Sequence, residues 1–143
     1  PGRGLGGLSS YTTLMIQEPA LNRSYEVFVS EDTVCPFLYY KDAIRCLIEL
    51  HNAPSDSLKS RMYWIAGELL TAAEISDIVK KTIPDAKIFF KPDPEKTSIV
   101  KSWAQKIDET DAIKDWSWKR EFTPQQAITD FIQEIKSNPE IYN

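Results

Sequence analysis

The chain has 143 residues, 42% hydrophobic and 27% charged, with a formal net charge of -4 and a pI near 5.1. This predicts one ordinary globular domain and excludes a disordered or fibrous chain. Basic residues are interspersed with acids, so no nucleic-acid partner is expected, and no run approaches the ~20 apolar residues that a membrane-spanning helix needs.

Four of the five glycines lie in the first seven residues. Gly2, Gly4 and Gly7 formally fit G-x-G-x-x-G, but no strand delivers them to a helix, so the fingerprint is rejected in favour of a loop following a strand that lies elsewhere. Ser9 and Ser10 are expected to cap a helix over 11–18 that buries Leu14 and Met15 and stops at Pro19. Residues 25–29 alternate apolar and polar and predict a strand, with a turn at Glu31 and Asp32.

From Cys35 to Pro54 the period changes. Pro36 is followed by the extended run Phe37, Leu38, Tyr39 and Tyr40. From Lys41, Ala43, Ile44, Leu47, Ile48 and Leu50 recur at helical spacing and predict a buried face, with Lys41, Arg45, Glu49 and Asn52 outside. Ala53 and Pro54 stop this helix. Tyr39 and Tyr40 fall at the corner, where hydroxyls either line a cleft or, as residue type favours, edge the core.

Residues 61–66 are apolar at five of six positions, which predicts a strand covered on both faces, as in a parallel sheet. Thr71 and Glu74 form a capping box for a helix to about Thr82 with Ile75, Ile78 and Val79 inward. A strand over 87–90 and a Pro-started helix from Pro94 to about Trp103 follow. Asp108 is expected to cap a short helix ending near Trp116. Thr123, Pro124 and Gln126 start a last helix with Ala127, Ile128, Phe131, Ile132 and Ile135 on one stripe. Helices alternating with short strands give an α/β fold class.

Local chemistry is sparse. Cys35, Cys46 and His51 match no compact zinc spacing, so no metal site is expected, and Cys46 and His51 lie on different helix faces, unlike a nucleophile and its base. Asp108, Glu109 and Asp111 read as acids meeting a helix dipole, and Trp116 and Trp118 as plugs at the core edge. Two cysteines do not make a framework and are expected to be reduced, in a cytoplasmic protein without a targeting segment.

A wider pattern spans about residues 1–137: Ser30, Glu31, Asp32 and Thr33; Pro36 with Tyr39; Asp42-Ala43; Ile48, Glu49 and Leu50 before Ala53-Pro54; Thr71 with Ala73, Glu74 and Ile75; Ile83, Pro84 and Asp85; Ser102-Trp103 with Ile107-Asp108; and Asp115-Trp116 with Trp118-Lys119. It resembles the C-terminal half of the NAD-dependent epimerase/dehydratase family, the extended short-chain dehydrogenases, and within them the short-chain-type L-threonine 3-dehydrogenases. The resemblance implies the C-terminal part of a Rossmann-like fold, mostly the substrate-binding lobe, as one region over residues 1–143. In that family the N-terminal half carries the Gly-rich cofactor loop and a catalytic Tyr-x-x-x-Lys pair. Here Tyr11, Tyr25, Tyr39, Tyr40 and Tyr63 have Met15, Val29, Ala43, Ile44 and Gly67 four places on, never Lys. No catalytic residue is therefore expected in this chain, and NAD or NADP would be bound mainly by an N-terminal dinucleotide-binding half that is absent from it.

By the same resemblance, Pro1 and Gly2 look like the remnant of a loop beside the nicotinamide, and Gly6, Gly7, Ser9 and Ser10 fall at the substrate-contacting loop and helix start. Tyr39 falls on the cleft strand and Trp103 near the substrate. The run Gly6-Gly7-Leu8-Ser9-Ser10-Tyr11 differs from the Gly-Gly-Thr-Thr-Asp-Tyr of threonine dehydrogenases, so a sugar acid or nucleotide sugar stands beside an amino acid as the small-molecule substrate. The expected function is the substrate-binding fragment of an NAD-dependent oxidoreductase or sugar epimerase/dehydratase, inactive alone; the alternative is a stand-alone, non-enzymatic binding module. Homodimers are common in the family.

Overall fold

Capping chemistry places several element starts in the computed structural model, which describes residues 7–103 and 106–143. In chain order the elements are α1 (Ser10–Ala20), β1 (Tyr25–Val27), β2 (Val34–Phe37), α2 (Tyr40–Asn52), β3 (Glu68–Thr71), α3 (Ala72–Thr82), β4 (Ile88–Phe90), α4 (Pro94–Lys101), α5 (Thr110–Trp116), α6 (Pro124–Ser137) and α7 (Pro139–Tyr142). β1 and β4 pair in parallel, Glu26 opposite Phe89, while β2 and β3 pair antiparallel, Cys35 opposite Leu70. The fold class is α/β, as the alternation of helices and strands implies.

The predicted capping boxes form. Glu74 N donates to Thr71 Oγ1 at 3.1 Å and Thr71 N to Glu74 Oε2 at 2.7 Å. At α6, Gln126 N donates to Thr123 Oγ1 at 3.3 Å and Thr123 N to Gln126 Oε1 at 3.0 Å. The stripes behind these caps meet α1 in the main core. Tyr11, Met15 and Ile16 of α1, Ile75 and Val79 of α3, and Ile128, Ile132 and Ile135 of α6 are buried together, with Val27 and Val29 from the strand side. A second, smaller cluster gathers Cys46, Ala112 and Trp118, with Tyr63, Ile65 and Trp116 against it.

The structure departs from the sequence expectations at several places. At α1, Ser9 has helical angles and makes no side-chain cap; Pro19 lies within the last turn, and Leu14 is only half-buried. The stop is Asn22 at φ 59°: Arg23 N donates to Glu18 O at 2.8 Å and Asn22 N to Pro19 O at 3.0 Å. That is a Schellman end, built on a residue that tolerates the left-handed region. β3 was not expected at all. It forms because Gly67 lets the chain press on β2; a Cβ there would lie 1.4 Å from Phe37 O. Residues 61–66, expected as a strand, form no ladder among the described residues.

The largest departure is at α2, which is turned over. Ile44, Leu47 and Ile48 are 52%, 68% and 55% exposed, whereas Asp42 and Cys46 are buried. Periodicity located a face correctly but assigned it to the wrong side, because Asp42 has better inward partners than any aliphatic residue of the helix.

Core truncation and surface truncation are thus expected to differ sharply. Ile128→Ala is expected to cost about 2–5 kcal/mol in urea unfolding. Leu47→Ala, on the bare stripe, is expected to stay within about 0.5 kcal/mol, although both sit at apolar helical positions.

Candidate functional site

Of the residues singled out for the substrate, Gly7, Ser9 and Ser10 come together at the first turn of α1. Ser10 N donates to Gly7 O at 3.0 Å. A Cβ on Gly7 would stand 3.6 Å from Ser9 Oγ and 4.0 Å from Ser10 Oγ, so the two hydroxyls flank the bare face of the glycine. Directly behind them Tyr11 is fully buried, which seats this turn on the main core. Trp103, just past α4, is half-buried and packs against the same core, as does Leu8. Pro1, Gly2 and Gly6 lie outside the described residues.

Tyr39 belongs to a different neighbourhood. It is the N-cap residue of α2 and only 6% exposed. Its ring meets Tyr40 and Phe122 edge-on, at centroid distances of 4.7 and 4.9 Å. Its hydroxyl donates to Asp130 Oδ2 on α6, and Lys41 Nζ donates to the same oxygen at 2.5 Å. Burial first, and then the bond to Asp130, push the phenol well above its ordinary range. Such a group stays neutral and is a poor acid or base. The Lys41 bond, then that of Tyr39, hold the Asp130 carboxyl below the usual range. Tyr39 thus takes the core-edge position that its residue type favours.

Two polar assemblies escaped sequence reasoning. The Asp42 carboxylate is 1% exposed and accepts from Arg45 Nη2 at 3.0 Å, Glu121 N at 3.0 Å and Phe122 N at 3.2 Å. Arg45 lies 4.8 Å from the Trp118 ring centroid and also donates to Glu49 Oε1 and Lys119 O. Beside it, Glu109 Oε1 accepts from Trp118 Nε1 at 3.1 Å and from Ala66 N at 2.9 Å, and its Oε2 accepts from Arg120 Nη1 at 2.7 Å. Glu109 is therefore a bridge between segments; of the three acids read as helix-start groups, Asp108 accepts from Thr110 N at 2.9 Å. A hollow of about 350 Å³ opens here, lined by Glu109, Ile113, Trp118, Lys119 and Arg120 among others, and it includes none of Gly7, Ser9, Ser10 or Trp103.

The described residues do not fit a dinucleotide cradle. Their glycines are Gly7, to which no described strand leads, and Gly67, which is spent on the contact with Phe37. Among the described residues no three His, Cys, Asp or Glu converge as a metal site, and no helix is long and apolar enough to cross a membrane. Cys35 and Cys46 are free and buried.

Two substitutions test the contacts of Asp42 and Asp130. Asp42→Ala strands the Arg45 guanidinium and two main-chain N–H groups, and is expected to cost roughly 3–5 kcal/mol by chemical denaturation. For Asp130 the folded pKa is lowered, so its stabilisation is present above the unfolded value of ~3.9 and is lost as pH falls through the folded value. Asp130→Asn is expected to flatten the acid limb of the Tm-against-pH curve below about pH 4, by an amount reduced by the solvent exposure of the Lys41 pair.

No family model matches the chain. It is 31% identical to the bovine (Bos taurus) mitochondrial L-threonine 3-dehydrogenase over 89% of its own length and 34% of that protein's. It is 26% identical to an uncharacterized epimerase/dehydratase of Staphylococcus haemolyticus over 82% of this chain and 37% of that one. Among solved structures, the holo form of a GalE-like L-threonine dehydrogenase from Cupriavidus necator superposes with a TM-score of 0.86 at 32% identity, covering 95% of this chain and 44% of that one. The chain thus spans about a third of the length of these curated relatives.

Proposed function

We propose that this chain, a homologue of the L-threonine 3-dehydrogenases and epimerase/dehydratases over most of its length, is the substrate-side lobe of an NAD(P)-dependent oxidoreductase. The family resemblance drawn from the sequence is borne out by these relatives and by the matching fold. The observation carrying the proposal is the disproportion of the match: it covers 95% of this chain against 44% of the dehydrogenase from Cupriavidus necator. Residues 1–143 act as a single C-terminal region, and the dinucleotide-binding half belongs to the part of the longer relatives that is not matched.

On this reading the nicotinamide cofactor supplies hydride exchange at a hydroxyl-bearing carbon, and no reacting group comes from this chain. Gly7, Ser9 and Ser10 present hydroxyls and bare main chain to a small polar substrate, with Trp103 as an apolar wall, and Gly6 is assigned to the same substrate loop by the resemblance alone. By the family resemblance alone, Pro1 and Gly2 are assigned to the cofactor side; they lie outside the described residues. Tyr39 acts by positioning: its hydroxyl, held by Asp130, fixes the corner where β2 turns into α2. The substrate class is an amino acid such as L-threonine, or else a sugar acid or nucleotide sugar. Free thiols at Cys35 and Cys46 suit a reducing compartment such as the cytoplasm; the bovine relative is named as mitochondrial.

Two preparations test the proposal: the 143-residue chain, and the polypeptide that carries it in its source, sized by blotting with an antibody to this chain. A product of roughly 35 kDa, about two domains, is expected to reduce NAD or NADP with one of these substrates. The chain alone is expected to show no turnover. In the longer polypeptide, Ser9→Ala with Ser10→Ala is expected to raise KM at least about tenfold, as loss of hydrogen bonds to substrate does. A native product of 16.4 kDa that neither binds a dinucleotide nor turns over substrate would overturn the reading in favour of a stand-alone binding module.

A further inference from the structure

Gln17 is fully buried in α1, beside Met15 and Ile16. Its Nε2 donates to Tyr142 O at 2.9 Å, a bond inside the core between residues 125 positions apart. Its Oε1 has no hydrogen-bond partner among the described residues. A buried amide served in this way carries a cost that a leucine or methionine, filling a similar volume, would not. What the amide adds is direction.

Tyr142 is a fixed point for that bond. It closes α7, whose last carbonyls have no partner within the helix, and its ring is fully buried and meets Phe131 of α6 edge-on at 5.8 Å. α7 is tied to α6 at Asn138, where Ile141 N donates to Asn138 O at 3.1 Å and Asn138 Nδ2 donates to Glu134 O at 3.3 Å. The Arg23 guanidinium, just past α1, donates to Asn143 Oδ1 and grips the same segment.

Gln17 and Ser10 stand seven residues apart in α1. Positions at that spacing lie on one helical face, within about 20° of each other, and about 10 Å apart along the axis. The contacts of Met15 and Ile16 with the stripes of α3 and α6 are apolar and non-directional, whereas a hydrogen bond holds an angle. The bond at Gln17 is therefore the contact that sets the rotation of α1. The Ser10 hydroxyl, two turns away on the same face, follows it.

We infer that Gln17 is a positioning residue for the substrate-contacting turn: by holding Tyr142 O it fixes the rotation of α1 and so the direction in which Ser10 presents its hydroxyl. Gln17 touches no substrate and acts through Ser10. The inference rests on the substrate-lobe reading and adds to it the residue that aims the turn.

Gln17→Leu and Gln17→Met, made in the longer polypeptide, test it by steady-state kinetics and by hydrogen exchange. Both keep the volume and remove the donor. Each is expected to raise KM about fivefold or more while kcat changes by less than about twofold. Each is also expected to speed amide exchange in the first two turns of α1 about threefold or more. Ile128→Ala, in the same core, is the comparison: it is expected to lower Tm more than either Gln17 variant and to leave KM within about twofold. Gln17 variants that lower Tm with KM unchanged, while Ser9→Ala with Ser10→Ala raises it, would overturn the inference and spare the functional reading. An equal rise of KM in Ile128→Ala would overturn it too, since any loosening of the core would then have the same effect. A longer polypeptide that turns over no substrate sinks the functional reading, whereas α1 exchange unmoved by either Gln17 variant sinks the inference on its own.

Discussion

The Asp42 carboxylate decides the arrangement of half the molecule. Buried in the first turn of α2, it takes Arg45 from its own helix and two main-chain N–H groups, of Glu121 and Phe122, from a segment nearly eighty residues on. A carboxylate at 1% exposure is tolerable only with such partners. Satisfying it forces the polar stripe of α2 inward and the aliphatic stripe outward. Arg45 then covers the Trp118 ring, and Trp118 donates its indole N–H to Glu109. Glu109 and Arg120 in turn hold Ala66 by both its main-chain groups. Ala66 is therefore the far end of one chain of polar contacts that begins at Asp42.

The main core obeys a simpler rule. α1, α3 and α6 bury aliphatic stripes against one another, and β1 with β4 close one side. Here hydrophobic burial dominates, and the two capping boxes set where α3 and α6 begin. On the Asp42 side Ile44, Leu47, Ile48, Met62 and Trp64 stand exposed, and on elements around the main core Phe89, Ile99 and Ile141 do so too.

This contrast explains how much was legible in the sequence. α3 and α6 were readable because propensity, cap and stripe agree at each, as at Thr71 with Ile75 and Val79 or Thr123 with Ile128 and Ile132. α2 was misread for its orientation alone: periodicity reports that a face exists, and the partners of Asp42 lie too far along the chain for a local pattern to register. Asn22 as the stop of α1 was readable, since a residue tolerant of positive φ stands two positions past Ala20, but Pro19 was the louder signal. β3 was missed because its pairing depends on Gly67 meeting Phe37, a contact between segments thirty residues apart. At the candidate site, Ser9 and Ser10 rest on the family resemblance, and the structure places them with Gly7 at the start of α1, while the commitment of Tyr39 to Asp130 spans ninety-one residues and left no local trace.

The placement of the two serines bears on what such a lobe contributes. They stand at the start of a helix whose next turns, Tyr11, Met15 and Ile16, are fixed in the main core and whose far end is locked by the Schellman turn at Asn22. Neither terminus of α1 therefore depends on the Asp42 side of the molecule. A turn seated this way takes its geometry from the main core alone. On the proposed reading it is a preformed wall, and positioning of that kind is where a lobe without a reacting group adds to rate.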